Sequence, residues 1–136
     1  LNVGRTIVCL PHRDSPNTVT GICLDWLLGL YDARRGGQLV LHEPRKILAL
    51  DPGRVILFPS ALLTHETIPI AKGEWRSGMT GYAAGGLWRF IAQGFATRGA
   101  SEATASPEEL EQHDRQGPQR WKVGLDRFKT LPQLTY

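Results

Sequence analysis

The sequence predicts a mainly β domain, either a barrel or a sandwich, followed by C-terminal helices. From residue 1 to about residue 84, short runs rich in Val, Ile and Leu are separated by Gly, Pro and Asp. Such punctuation is typical of many short strands joined by tight turns. Beyond Gly85-Gly86 the apolar residues recur at helical spacing instead. We therefore expect a β core over residues 1–95, with a linker and helices packed on that core over residues 96–136.

Seven segments have the composition of strands, and turn signals separate them. Turns are expected at Arg35-Gly36-Gly37, Asp51-Pro52-Gly53 and Ala71-Lys72-Gly73, because Gly and Pro suit the backbone angles of tight turns. If the last of these turns is a hairpin tip, it pairs the final two strands. The predicted strands are residues 5–10, 18–28, 38–41, 46–50, 54–58, 63–70 and 76–83.

The C-terminal part of the chain predicts helices on either side of a linker. Residues 87–95 suit a short helix, whereas residues 97–105 are small and polar and suit a linker. Ser106-Pro107-Glu108-Glu109 predicts a helix start, since a capping Ser precedes a first-turn Pro and a Glu three residues on. Helices that dock on the core or on each other are favoured over a partner-binding tail. The apolar stripe of the last predicted helix is Trp121, Leu125 and Phe128.

Composition places the chain among globular domains. A length of 136 residues and a mass of 15.1 kDa suit one folding unit, and no segment approaches the roughly 20 apolar residues that cross a bilayer. Cys9 and Cys23 are too few for a disulfide framework, so small core residues are favoured over a redox pair. We expect a soluble, intracellular protein with no membrane partner. Its net charge of +3 permits a polyanionic partner without requiring one.

A candidate metal site begins at His12 and Asp14. Residues two apart on a strand project from the same face, so these two side chains can bind one ion. His65 lies in an otherwise apolar strand and is the favoured third ligand, whereas His113 lies in an acidic, polar helix and is expected to be solvated. Two His and one carboxylate form the ligand set of non-haem Fe(II) centres that activate oxygen. A His-x-Asp sequence also occurs by chance, and a lone His in a strand is commonly structural.

Arg76 is a candidate for binding an anionic cosubstrate. It follows His65 along the chain, across the turn at Lys72-Gly73. If that turn is a hairpin tip, Arg76 lies opposite Pro69 and shares a face with His65. A guanidinium directed into a barrel needs a carboxylate partner, which a dicarboxylic cosubstrate on the iron would supply. The alternative is an edge-strand Arg that lies at the surface or pairs with Glu74.

The order of His12, Asp14, His65 and Arg76 resembles that of the Fe(II)- and 2-oxoglutarate-dependent dioxygenases. Further motifs, spread over nearly the whole chain, resemble the fungal branch of the TET/JBP-like members of that family. These motifs are His12-Arg13-Asp14-Ser15-Pro16-Asn17, Gly29-Leu30-Tyr31-Asp32, Gly36-Gly37-Gln38-Leu39, Pro59-Ser60-Ala61, His65-Glu66-Thr67-Ile68-Pro69-Ile70, Tyr82-Ala83-Ala84-Gly85-Gly86-Leu87 and Arg120-Trp121-Lys122-Val123-Gly124-Leu125.

The resemblance implies a double-stranded β-helix, which is a jelly-roll or cupin-like barrel, and we expect the chain to lack some N-terminal elements of that fold. It implies catalytic and iron-binding roles for His12, Asp14 and His65. Arg76 would bind the distal carboxylate of 2-oxoglutarate. The implied substrate is 5-methylcytosine or another modified base, flipped out of DNA, and the implied location is then the nucleus.

Several positions keep two interpretations. Asn17 is equally a cofactor-binding residue, through a hydrogen bond to the cosubstrate, and a turn residue. His42 is favoured as a strand-end residue over a pocket-lining one. Glu66, Gly78 and Gly81 stand where the family commonly has Asn, Ser and Gln. Two other functions therefore stay open, a 2-oxoglutarate oxygenase that acts on a protein or small molecule, and a non-catalytic barrel that binds a partner.

A DNA substrate requires contacts to phosphates and to the flipped base, and the sequence contains candidate residues for both. Basic residues at predicted turns can contact phosphates, and aromatic or guanidinium planes can stack on a flipped base. The phosphate candidates are Arg13, Arg34, Arg35, Arg45 and Lys46. The stacking candidates are Arg13, Tyr31 and Trp75.

Overall fold

The computed structural model describes residues 8–133, without the side chains of His113, Arg120, Trp121 and Leu131. This part of the chain is mainly β, with two small antiparallel sheets and several short helices. It divides into two compact units. The first unit runs to Ala83 and contains both sheets, and the second contains the helices from Ala84 onward together with residues 18–20.

Six short strands build the two sheets. They are β1 (Cys23–Leu30), β2 (Leu39–Leu41), β3 (Lys46–Leu48), β4 (Val55–Phe58), β5 (His65–Thr67) and β6 (Trp75–Gly81). Sheet A has the order β4-β1-β6, and sheet B has the order β3-β2-β5. Each of these strands overlaps one of the predicted strands, so the mainly β prediction is confirmed. No strand pairing joins the two sheets into a closed barrel within residues 8–133.

The first predicted strand, residues 5–10, falls partly outside the described residues, and residues 8–10 form no strand. Instead, His12 forms an isolated antiparallel bridge with His65 of β5. The Thr67 backbone N–H also donates to the carbonyl oxygen of Cys9, over 3.0 Å. Residues 9–12 therefore run along the outer edge of β5 and extend sheet B.

The turn at Lys72-Gly73 is not the tip of a hairpin between the last two strands. Strand β5 pairs with β2 and strand β6 pairs with β1, so the turn at Lys72-Gly73 carries the chain from sheet B to sheet A. Arg76 consequently lies opposite Gly29 and not opposite Pro69. The turn residues predict a reversal of the chain, but they carry no information on which strand becomes the partner.

A small apolar core joins the two sheets. Phe58 of β4 packs with Leu39 and Leu41 of β2, and all three side chains are buried. Burial of side chains of this size contributes roughly 1.5–3 kcal/mol each. The partly buried residues around them are Leu48, Leu50, Ile56 and Leu63.

Gly29 allows strand β6 to approach strand β1 at the position of Arg76. Its φ of 146° lies in the region that side chains disfavour, and a Cβ there would lie 2.4 Å from the carbonyl oxygen of Trp75. A side chain at this position would therefore clash with the β6 backbone. Gly29 thus contributes to the placement of Arg76 on the inner face of sheet A.

The helices of the second unit are α1 (Gly85–Ala92), α2 (Arg98–Thr104), α3 (Pro107–Gln116) and α4 (Arg120–Leu125). The predicted start of α3 is confirmed, because the Glu109 N–H donates to Ser106 Oγ and the Ser106 N–H donates to the Glu109 carboxylate. None of the helices in the described part of the chain is long and apolar enough to span a membrane.

Two helix predictions need correction. The predicted linker at residues 97–105 contains α2, which the Thr97 side chain caps and an Arg98–Glu102 ion pair supports. These two contacts are short-range and offset the weak helix propensity of small polar residues. The last helix ends at Leu125, so Phe128 lies beyond it and is 37% exposed. The predicted burial of Phe128 is therefore wrong, and the Trp121 side chain lies outside the described residues.

Candidate metal site

The backbone bridge between His12 and His65 brings the two candidate histidines together. The His12 N–H donates to the His65 carbonyl oxygen over 3.0 Å, and the His65 N–H donates to the His12 carbonyl oxygen over 2.9 Å. Residues directly opposed in an antiparallel pair project their side chains from the same face. The two imidazole centroids are accordingly 4.3 Å apart.

Backbone carbonyls orient both imidazoles. Nδ1 of His12 lies 2.7 Å from the Leu10 carbonyl oxygen, and Nδ1 of His65 lies 2.9 Å from the Leu63 carbonyl oxygen. A carbonyl oxygen only accepts hydrogen bonds, so Nδ1 of each neutral ring carries the proton and Nε2 keeps its lone pair. Metal-binding histidines typically have this arrangement, in which the ring nitrogen that does not bind the metal donates to a fixed acceptor.

Asp14 completes the group and is held by two other residues. Its N–H donates to the Ser60 carbonyl oxygen over 3.1 Å, and the Asn17 amide donates to its Oδ2 over 3.3 Å. The same amide donates to Ser60 Oγ. Asp14 Oδ1 is thereby left facing His12, 3.5 Å from Nε2 of that ring. Asn17 therefore orients Asp14, and its predicted contact with a cosubstrate stays a prediction.

His12, Asp14 and His65 together form a group that can hold a metal ion. One ligand atom from each residue lies within 4.8 Å of the other two. Metal–ligand bonds of about 2.1 Å place neighbouring ligands about 3 Å apart, so small side-chain adjustments close the site. Phe58 packs edge-on against the His65 ring at 5.0 Å and limits its movement. The structure thus brings the three predicted ligands to one point.

A second network fixes the two ligand-bearing segments to each other. Arg13 lies between two ligands in sequence and donates to the Glu43 carboxylate over 2.6 Å and to Thr64 Oγ1 over 3.0 Å. Thr64 precedes His65 and donates to Glu43 through both its N–H and its hydroxyl. The Thr64 hydroxyl, and after it the Arg13 guanidinium, hold the pKa of Glu43 at about 2, below its ordinary 4.5.

The three ligands lie at a cavity of about 410 Å³ within the first unit. Residues of both sheets line it, because the inner side chains of β1, β5 and β6 point toward each other. Leu27, Leu39 and Phe58 form apolar parts of the wall. Arg76 also lines this cavity, so the metal-binding group and the predicted anion-binding residue share one space.

Arg76 is buried without a protein counter-ion. It is 6% exposed, its Nε has no hydrogen-bond partner, and no carboxylate of residues 8–133 forms an ion pair with it. Glu74 accepts hydrogen bonds from the N–H groups of Asp32 and Ala71 instead, so the alternative pairing of Arg76 with Glu74 does not occur. Burial raises the pKa of Tyr31, and the nearby Arg76 guanidinium opposes that rise.

The remaining candidate residues lie in different places. The His42 Nε2–H donates to the Glu66 carboxylate over 2.9 Å, and His42 is exposed, which agrees with its interpretation as a strand-end residue. Cys9 and Cys23 both line the cavity as free thiols. Burial raises the pKa of the Cys23 thiol, so that thiol is a poor nucleophile at neutral pH.

The predicted base-stacking residues do not reach the cavity. The Tyr31 ring is buried and its hydroxyl donates to the Leu50 carbonyl oxygen, whereas Trp75 lies on the outer face of sheet A. Arg13 is engaged by Glu43 and Thr64. Tyr82 lines the cavity and is 61% exposed, so it is the available aromatic residue among those that form the cavity wall.

Three residues without a predicted role shape the site. Ser60 is 1% exposed and holds Asp14 through its carbonyl oxygen and Asn17 through its hydroxyl. Asp25 and Thr80 face the cavity from neighbouring strands. A polar residue within an otherwise apolar strand, such as Asp25 between Leu24 and Trp26, is a sequence signal that can indicate a residue facing a cavity.

Comparison with known proteins gives no family for the chain. No protein-family model matches it, and its sequence has no significant match among curated proteins. The geometry of the site is therefore the main indication of what the chain does.

We expect His12→Ala, Asp14→Ala and His65→Ala each to weaken metal binding more than about 100-fold. Loss of a residue that merely supports a ligand already costs 10- to 100-fold, and loss of a ligand costs more. Anaerobic calorimetry with Fe(II), or with Co(II) as a spectroscopic probe, measures the affinity. His42→Ala is the matched control and should bind metal like the unmodified protein. Unchanged affinity in any of the three ligand variants would contradict the site.

We expect Glu43 to remain ionised at pH 3. Its folded pKa of about 2 lies below the ordinary value of 4.5, so its stabilising contribution is complete above pH 4.5 and is lost as the pH falls through 2. Carbon-13 NMR titration of the carboxyl group measures this pKa directly. Thr64→Ala removes the main cause and should move the pKa of Glu43 upward, whereas a midpoint near 4.5 in the unmodified protein would disprove the network.

Proposed function

We propose that this chain is an Fe(II)- and 2-oxoglutarate-dependent dioxygenase. The observation that carries the proposal is the shared cavity, in which a His-Asp-His group accompanies a buried guanidinium without a protein counter-ion. Two His and one carboxylate suit Fe(II) with positions open for further ligands. A dicarboxylate ligand of that metal would supply the missing partner of Arg76.

The strand order supports a double-stranded β-helix. With residues 9–12 counted, sheet B has the order 9–12, β5, β2, β3, and sheet A has the order β4, β1, β6. Apart from the link between β2 and β3, each connection crosses from one sheet to the other. A jelly roll distributes its strands over two sheets in this alternating way.

The residues of this chain perform distinct tasks in the proposed reaction. Fe(II), 2-oxoglutarate and O₂ supply the oxidation, in which a substrate C–H becomes C–OH while 2-oxoglutarate becomes succinate and CO₂. His12, Asp14 and His65 would hold the metal, while both Nδ1–H groups donate to backbone carbonyl oxygens. Leu27 and Phe58 exclude water from part of the cavity wall.

Arg76 would bind the distal carboxylate of 2-oxoglutarate. A buried guanidinium with an unpartnered Nε is unstable in a low-dielectric space unless an anion approaches it. A carboxylate accepts two parallel hydrogen bonds from a guanidinium, which gives both affinity and orientation. Gly29 permits the close strand approach that keeps Arg76 on the inner face. A bound cosubstrate would thus account for the burial of Arg76.

The proposed substrate is 5-methylcytosine or another modified base in DNA, and a nuclear location would follow from it. This choice depends mainly on the sequence resemblance. Arg34, Arg35 and Arg45 are exposed and available to phosphates, and exposed Tyr82 at the cavity offers a surface on which a flipped base can stack. Arg13 is less available than expected, because Glu43 already pairs with it.

Turnover assays test the proposed function. Protein loaded with Fe(II) and 2-oxoglutarate should release succinate on exposure to O₂, and DNA containing 5-methylcytosine should increase that release and yield an oxidised base by mass spectrometry. His12→Ala should abolish both signals, and His42→Ala should retain them. Succinate release with no change in any base would favour a protein or small-molecule substrate, and absence of succinate under every condition would refute the proposal.

We expect Arg76→Ala to weaken 2-oxoglutarate binding roughly 30- to 150-fold, which corresponds to the loss of about 2–3 kcal/mol from a charge-assisted contact. Metal affinity should remain unchanged, because Arg76 belongs to β6 of sheet A, whereas His12 and His65 belong to sheet B and Asp14 lies in the loop that follows His12. Anaerobic titration of the metal-loaded protein with 2-oxoglutarate measures the effect. Arg54→Ala, an exposed arginine of the same unit, is the control; equal affinities for both variants would contradict the assignment.

A further inference from the structure

A second carboxylate, that of Asp25, faces the cavity, and no cationic side chain of the described residues pairs with it. Asp25 lies on β1, directly opposite Thr80 of β6, and the Thr80 hydroxyl donates to Asp25 Oδ1 over 2.7 Å. Oδ2 receives no hydrogen bond from the described residues, and no Lys, Arg or His among them forms an ion pair with the carboxylate. Asp25 is not a member of the group that can bind the metal.

A half-buried carboxylate with an unused oxygen favours a donor or a cation from outside the protein. Withdrawal of an ionised carboxylate from water is unfavourable unless hydrogen bonds replace the lost hydration. Thr80 supplies one such bond and fixes the orientation of the carboxylate, and Oδ2 remains available within the cavity wall. A ligand N–H group that reaches Asp25 would supply a hydrogen bond to Oδ2 in addition to the one that Thr80 donates to Oδ1.

Asp25 and Arg76 give the cavity two ends of opposite charge. Arg76 and Thr80 lie on the same face of β6, and four residues of strand correspond to about 13 Å. The Arg76 end would attract the distal carboxylate of 2-oxoglutarate, and the Asp25 end would repel it. The Asp25 end is therefore left to the substrate.

The wall between these two ends suits a flat ring. Gly78 lies between Arg76 and Thr80 on the inner face of β6 and contributes no side chain. Even an added Cβ at this position would approach protein atoms no closer than 3.5 Å, so the space is open. Tyr82, two residues beyond Thr80, lines the same cavity with an exposed aromatic ring. A planar heteroaromatic group can stack there while its edge reaches Asp25.

We propose that Asp25, oriented by Thr80, is the specificity-determining residue that accepts a hydrogen bond from the exocyclic amino group of a heteroaromatic substrate. The inference rests on the proposed function, because it assigns 2-oxoglutarate to the Arg76 end of the cavity. Asp25 takes no part in bond making or breaking. It selects substrates that carry an N–H donor at the correct edge, since a ring without that donor would leave the carboxylate unsatisfied.

The test uses two oligonucleotides that differ in one amino group. One contains 5-methylcytosine, and the other contains 5-methylpyrimidin-2-one, which has the same ring and methyl group but no N–H donor. Fluorescence anisotropy under anaerobic conditions, with and without Fe(II) and 2-oxoglutarate, measures binding of each. The unmodified protein should prefer the amino-bearing base by about 10- to 100-fold, the range expected for a hydrogen bond to a charged group.

Asp25→Ala should abolish this preference by weakening only the amino-bearing oligonucleotide, and Asp51→Ala, a matched removal of a carboxylate that does not line the cavity, should retain it. Thr80→Val should reduce the preference in the same direction, which keeps the test decisive if Asp25→Ala fails to fold. An unmodified protein without preference, or an Asp25→Ala protein that keeps the full preference, would overturn the inference.

Substrate-independent succinate release separates this inference from the proposed function. Asp25→Ala should still convert 2-oxoglutarate to succinate without DNA, because the metal ligands and Arg76 are intact. If the unmodified protein discriminates between the two oligonucleotides, Asp25→Ala abolishes that preference and succinate never forms, the dioxygenase proposal fails and the role of Asp25 in recognition stands. If succinate forms and Asp25→Ala leaves discrimination unchanged, the role of Asp25 fails alone.

Discussion

The pair of backbone hydrogen bonds between His12 and His65 is the constraint on which the candidate site depends. These bonds place two residues that are far apart in sequence directly opposite each other, so their side chains project from the same face. Asp14 follows at the next inward position, and the Arg13–Glu43 network holds the surrounding segments in place. The convergence of the three ligand atoms therefore depends on this bridge.

The two sheets contribute different chemistry to one cavity. Sheet B, extended by residues 9–12, supplies His12 and His65, whereas sheet A supplies Asp25 from its central strand β1 and Arg76 from the neighbouring edge strand β6. The apolar core around Phe58 packs the sheets together and also touches the His65 ring. Packing and site geometry are therefore coupled, because a change at Phe58 alters both the contact between the sheets and the orientation of a ligand.

Unpaired charges distinguish this cavity from an ordinary gap between sheets. A stable interior pairs its buried ions, since each unpaired ion lowers stability. Arg76 is nevertheless buried without a counter-ion among the described residues, and Asp25 faces the same space without a cation. The two groups lie too far apart along β6 to neutralise each other directly. Ligands of complementary charge provide the simplest physical reason for keeping both.

The sequence by itself determined the strand content, the start of helix α3 and the types of side chain at the site. Those features follow from short-range effects, such as the turn residues near Gly53 and the cap at Ser106. Contacts between residues close in sequence are sufficient to determine them. Only the tertiary structure decided that β6 pairs with β1, that Arg76 lies opposite Gly29, and that Asp25 lines the same cavity as the metal-binding group. Strand partners are chosen by burial between residues far apart in sequence, and no local pattern records that choice.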